Sequence, residues 1–186
     1  MVDKFAELIS FLGQNLIQGI FISVLLILSI RAAFKDKIEI SLSAQIIRWI
    51  IVIYAFGAIV STILLMAFEH SKEYAFLDRA TGPYWWAYFL MLFSNSLLPL
   101  ILLNKKIGEK LMVLLFIALV MNLGWLVESF VIHITSVHQD FSDETYNPYL
   151  PNTRETRILI RGFILGVLSL ITGNVLKKWK LSQIDT

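Results

Sequence analysis

The feature that most limits this chain is a succession of five long apolar runs with almost no charge in them. A helix needs about 20 apolar residues to cross the hydrocarbon core of a bilayer. The runs are residues 8–30, with no charge; 46–68, with Arg48 at its mouth; 84–103; 111–137, clean except for Glu128; and 158–176, with Arg161 in its first turn. In lipid every backbone polar group must be paired, and runs this long and continuous do so as helices, not barrel strands. The long Arg48 side chain can snorkel toward the headgroups. The sequence therefore predicts an all-α integral membrane protein, one transmembrane domain over residues 1–186. It comprises five transmembrane helices: a four-helix bundle plus one extra span.

The first run reads as a retained span. Lys4 is offset by Asp3 and Glu7, and the apolar stretch is longer than a signal-peptide core. Orientation follows from the basic residues. Arg31, Lys35, Lys37, Arg48, Lys105, Lys106, Lys110, Lys177, Lys178 and Lys180 fall on one side. Lys4, Lys72, Arg79, Arg154 and Arg157 fall on the other, with Arg161 counted as intramembrane. The N-terminus is predicted outside and the C-terminus inside, as in a multi-pass protein of a bacterial inner membrane. Residues 138–157, with Pro148 and Pro151, read as an extracytoplasmic loop.

Composition narrows the chemistry. The chain is 57% hydrophobic and 16% charged, against roughly 45–50% and 25% in soluble domains. A formal net charge of +2 makes no field for nucleic acid. Cysteine is absent, which excludes disulfides, thiolate zinc sites, Cys-ligated iron–sulfur clusters, covalent c-type haem and a Cys nucleophile. No bound metal is expected. Bis-histidine haem is disfavoured because His133 and His138 sit at one helix end, leaving His70 as the sole remaining histidine.

Ionisable residues inside a membrane are costly and mark candidate sites. Glu128 is the clearest. On a helix, Asn122, Trp125, Ser129, His133 and Ser136 cluster on one face, with Gly124, Glu128 and Thr135 on the adjoining one. This sector must face other helices or a wet cavity. Asn95 in the third span and Arg161 in the fifth are candidate partners. In one reading Glu128 exchanges protons, and His133 or His138 relays them near neutral pH. In the other, Glu128 pairs with Arg161 and fixes helix packing. Tyr84, Trp85, Trp86 and Tyr88 open the third span; they suit an aromatic belt at the interface, or a sandwich for a flat quinone ring.

Three strings carry a family resemblance: Thr81-Gly-Pro-Tyr-Trp-Trp-Ala-Tyr88 with Asn95 and Pro99; Asn122-Leu-Gly-Trp-Leu-Val-Glu128-Ser-Phe-Val-Ile-His133; and Thr135-Ser-Val-His138-Gln-Asp140-Phe141 with Tyr149-Leu-Pro151. In order and spacing they resemble the C-terminal half of polysulfide-reductase/NrfD-type membrane subunits, above all the quinol-binding subunits of bacterial alternative complex III. The match covers about residues 81–152. The resemblance implies an integral subunit without haem or iron–sulfur cluster that binds menaquinol. It would anchor an iron–sulfur/molybdopterin-type protein beside other membrane subunits, cytochrome c subunits and lipid, and would not be catalytic alone. Glu128 matches the family's span glutamate, and His138 and Asp140 its exit motif. Ser129 stands where the family has Arg, and family members carry two bundles where this chain has the second plus one span.

The resulting expectation is a subunit of a quinol-oxidising respiratory electron-transfer complex. Glu128, His133, His138 and Asp140 are its proton-transfer candidates, and Trp86, Asn95, Asn122 and Arg161 its quinol-pocket candidates. The alternative is a structural or assembly subunit with no ligand of its own. An independent transporter is disfavoured by the lack of an inverted repeat.

Overall fold

The computed structural model describes residues 2–34, 40–68, 81, 85–123 and 153–183. All elements among the described residues are helical. They are α1 (Val2–Leu12), α2 (Gln18–Phe34), α3 (Ile40–Ala67), α4 (Trp85–Leu92), α5 (Lys105–Gly108), α6 (Leu111–Met121) and α7 (Thr153–Ser182). A π turn, Gly13–Ile17, joins α1 to α2 without breaking the rod, so Val2–Phe34 is one long apolar helix. A second π turn, Phe93–Leu97, follows α4 and leads into a 3-10 segment, Leu98–Leu103.

Among the described residues three helices are long and apolar enough to cross a membrane: Val2–Phe34, Ile40–Ala67 and Thr156–Trp179. Tyr88–Leu103 and Leu111–Met121 are shorter apolar helices. The helices outrun the apolar windows from which they are predicted. The first begins at Val2 where the apolar run begins at residue 8, and α7 begins at Thr153 inside the stretch expected as loop. The reason is that backbone hydrogen bonding does not stop at the hydrocarbon boundary; polar turns at a helix end are solvated outside it. The fourth predicted span is described to Leu123, so its remainder lies outside the described residues, as does most of the 138–157 loop.

The core is apolar and is built where α2, α3 and α6 meet. Ile20, Val24 and Ile27 of α2, spaced four and three apart, face Ile47 and Ile51 of α3 and Leu114 and Ile117 of α6. Leu102 and Leu170 close the cluster. Outside, large apolar side chains such as Ile53, Met66, Met112 and Phe163 stand exposed along the helices. A surface of this kind requires lipid or protein around it, not water.

The tightest packing joins α2 to α7. A Cβ at Gly162 would collide with the Gly19 carbonyl oxygen and stand 2.7 Å from Ile22 Cβ; one at Gly19 would stand 2.9 Å from the Gly162 nitrogen. Gly166 lies against Ser23 and Leu26. The buried Ser23 hydroxyl lies 2.7 Å from the Gly162 carbonyl and 3.2 Å from that of Gly19 and donates to this pair of acceptors. Small residues four apart on both helices let the backbones touch, the arrangement that replaces hydrophobic attraction inside a bilayer. Residue numbers rise together across this seam, so α2 and α7 run parallel. Across the α1–α3 seam they oppose: Ile9 meets Gly57 and Gly13 meets Tyr54.

Candidate functional site

The N-terminal half of the same first helix is not sealed. There α1, α3 and α4 leave a cleft of about 320 Å³, inside the range of about 300–1,000 Å³ typical of small-molecule sites. The first helix contributes Ser10, Gly13, Gln14 and Gln18; α3 contributes Tyr54, Ala58, Ser61 and Thr62. Tyr88, Asn95 and Ser96 come from α4 and the turn after it, and Met121 and Asn122 from the end of α6. Ile9, Leu65, Met91 and Leu92 supply apolar surface. Among the described lining residues none is charged.

Both π turns open onto this cleft, and each has a local cause. At the first, the Gln18 N–H reaches back five residues to the Gly13 carbonyl. The Asn15 side chain takes the Phe11 carbonyl at 2.7 Å, the acceptor its own backbone N–H would use in an α-helix. At the second, the Leu98 N–H bonds the Phe93 carbonyl, again five back. Pro99 has no N–H to offer the Asn95 carbonyl, and the Asn95 amide takes the Met91 carbonyl at 3.0 Å. A π turn houses one more residue than an α turn and often marks a functional site.

Gly13 sets the position of the Tyr54 hydroxyl. A Cβ there would stand 2.9 Å from the phenol oxygen, so the ring end lies directly over the first π turn. The amides are held by their own helices: Asn122 Nδ2 donates to the Ala118 carbonyl at 2.8 Å, and Gln14 Nε2 lies 3.4 Å from Ser10 Oγ. Thr62 likewise donates to the Ala58 carbonyl at 2.9 Å. An asparagine held by one N–H keeps its carbonyl oxygen and second N–H for a guest. The arrangement can therefore offer a neutral molecule donors and acceptors side by side, with apolar wall beyond.

Of the residues singled out by sequence, the cleft brings Asn95 and Asn122 together. Trp86 is 53% exposed at the start of α4 and is not among the lining residues. Trp85, equally exposed, packs edge-on to Phe89 at 6.2 Å, as in an interfacial aromatic belt. Arg161 is half-buried in α7 beside Gly19 and also lies outside the cleft lining. Glu128, His133, His138 and Asp140 lie outside the described residues, as does His70. Tyr54, Gln14 and Gln18, which also line the cleft, do not stand out among the charged residues of the sequence. The signal was present: Gln14 and Gln18 are four apart, and Tyr54, Ala58, Ser61 and Thr62 fall on one helical face.

No protein-family model matches the chain, and no curated protein matches it.

Proposed function

We propose that the chain is a five-span integral membrane subunit of a quinol-oxidising respiratory electron-transfer complex, and that the cleft between α1, α3 and α4 is one wall of its quinol pocket. The observation that supports this most is the pairing of an uncharged, hydrogen-bonding lining with two π turns at one place in an otherwise apolar bundle. A quinol is neutral, flat and hydroxylated at both ends of its ring, with a long apolar tail. Burying a charged lining beside it would be costly, whereas amides and a phenol can match its hydroxyls. Trp86 and Arg161, outside the lining, then serve the interface and the helix seam.

Oxidising a quinol releases two protons and two electrons. In this reading the electrons pass to a metal centre in a neighbouring subunit, and the protons need acceptors within hydrogen-bond reach of the ring. Asn122, on the cleft, stands six residues before Glu128 in the chain. Glu128, His133, His138 and Asp140 are the groups we assign to proton transfer. The parallel run of α2 and α7 supports an odd number of crossings from the first span to the last. N-terminus outside and a bacterial inner membrane complete the proposal.

A second reading keeps one observation on its side. Asn95, Asn122 and Thr62 each already donate to a carbonyl of their own helix, so the lining can stand without a guest, as in a purely structural subunit. Asn122→Leu separates the two. We expect quinol-dependent electron transfer in native membranes to fall roughly three- to ten-fold, the loss of one hydrogen bond, with the amount of assembled complex unchanged. A lower yield of complex with normal turnover per complex would instead establish the structural role. Recovery of the wild-type chain from its membrane as a lone monomer would overturn both.

A further inference from the structure

At the opposite end of the bundle, Arg48 presents a separate problem. It sits in α3 at the mouth of the apolar run and is only 7% exposed. Its stem lies over Gly108 of the short α5: a Cβ on Gly108 would come within 2.8 Å of Arg48 Cδ and 3.3 Å of Nε. Nε is sealed from the surface without an acceptor. The guanidinium carbon stands 5.3 Å from the ring centre of Trp49, which is half exposed. Among the described residues of this corner, the carboxylate of Glu109 is engaged elsewhere, 4.0 Å from Lys105 Nζ and 3.5 Å from Gln45 Nε2. Among the described residues, then, a guanidinium held at the hydrocarbon boundary has no anion.

Its surroundings select the missing anion. Lys105, Lys106 and Lys110 stand exposed on the α4–α6 connection beside it, so among the described residues four cations meet one carboxylate. The neighbouring surface, with Trp49, is of the kind that lies at lipid headgroup level. A guanidinium there matches a phosphodiester, which it can bind through two parallel N–H···O bonds. We propose that Arg48 anchors a site for the phosphate of an anionic phospholipid, in the notch between α3 and the 104–110 connection, with the three lysines supplying a weaker general attraction. Gly108 belongs to this site because only a residue without a side chain lets the Arg48 stem lie across the connection.

The test is competitive lipid retention by native mass spectrometry, on the purified full-length chain in mixed phosphatidylglycerol and phosphatidylcholine. Wild type is expected to prefer phosphatidylglycerol by at least about five-fold, the contribution of one cation near a membrane surface. Arg48→Gln should bring the preference close to parity, Arg48→Lys should keep part of it, and Lys105→Gln should change it by less than about two-fold. If Arg48→Gln does not fold, wild type and Arg48→Lys carry the test. No preference in wild type, an undiminished one in Arg48→Lys, or a loss caused equally by Lys105→Gln would overturn the proposal. So would displacement of the lipid by millimolar inorganic phosphate, which would make the site one for a free ion.

Discussion

The first helix lives in two different environments along its length. Past Gln18 it is sealed against α7 by glycine-on-glycine contact at Gly19 and Gly162. Before Gln18 it carries a π turn and borders an uncharged polar cleft. The same rod is thus a structural seam at one end and a site wall at the other. The difference lies in small residues used in opposite ways: Gly19 and Gly162 bring two backbones together, while Gly13 makes room for a side-chain hydroxyl.

The contrast can be broken at several points. The largest effect is expected from Gly162→Leu. Its neighbours are backbone atoms of Gly19, which cannot swing aside, so overpacking should cost about 3 kcal/mol or more. The expected outcome is loss of monodisperse protein in size-exclusion chromatography after detergent extraction. If the variant behaves as wild type, the seam is not what holds the bundle. Deleting Asn15 should come next. Without the extra residue the π turn can close into an α turn, rotating α1 by about 100°. Ser10 and Gln14 would leave the cleft while the α2–α7 seam survives. Affinity for a quinol analogue, read by fluorescence quenching, should fall roughly ten-fold or more in protein that still elutes as a folded species. Retained affinity would separate the π turn from the site. The smallest effect belongs to Ser23→Ala, which removes a 2.7 Å bond to Gly162 but leaves the glycine contact intact. Hydrogen bonds between membrane helices average about 0.6 kcal/mol, so the midpoint of unfolding in sodium dodecyl sulfate should shift only slightly.

Much of the frame was legible because span length and apolar content are local properties. The Ile40–Ala67 helix required nothing beyond the composition of its own segment. Asn95 and Asn122 could be singled out because amides in an apolar run are conspicuous. Tyr54 was not, since a tyrosine in a membrane helix reads as an ordinary lipid-facing or packing residue until Gly13 is seen beneath it. Arg48 read as a snorkelling side chain; that its Nε is buried without an acceptor among the described residues depends on Gly108 and Glu109, some sixty residues later in the chain.

Apolar run length alone dictates that the chain is helical and apolar enough for a membrane, because bilayer thickness and backbone pairing leave such a run no other form. Amides inside apolar runs, Asn95 and Asn122, were conspicuous there for the same reason. That both π turns open toward one cleft, that α2 and α7 meet through Gly19 and Gly162, and that Arg48 lies across Gly108 came from the packing of the helices. Those outcomes depend on which helix faces lie opposite one another. A single extra residue in a turn rotates everything before it by about 100°, and no local pattern records that rotation.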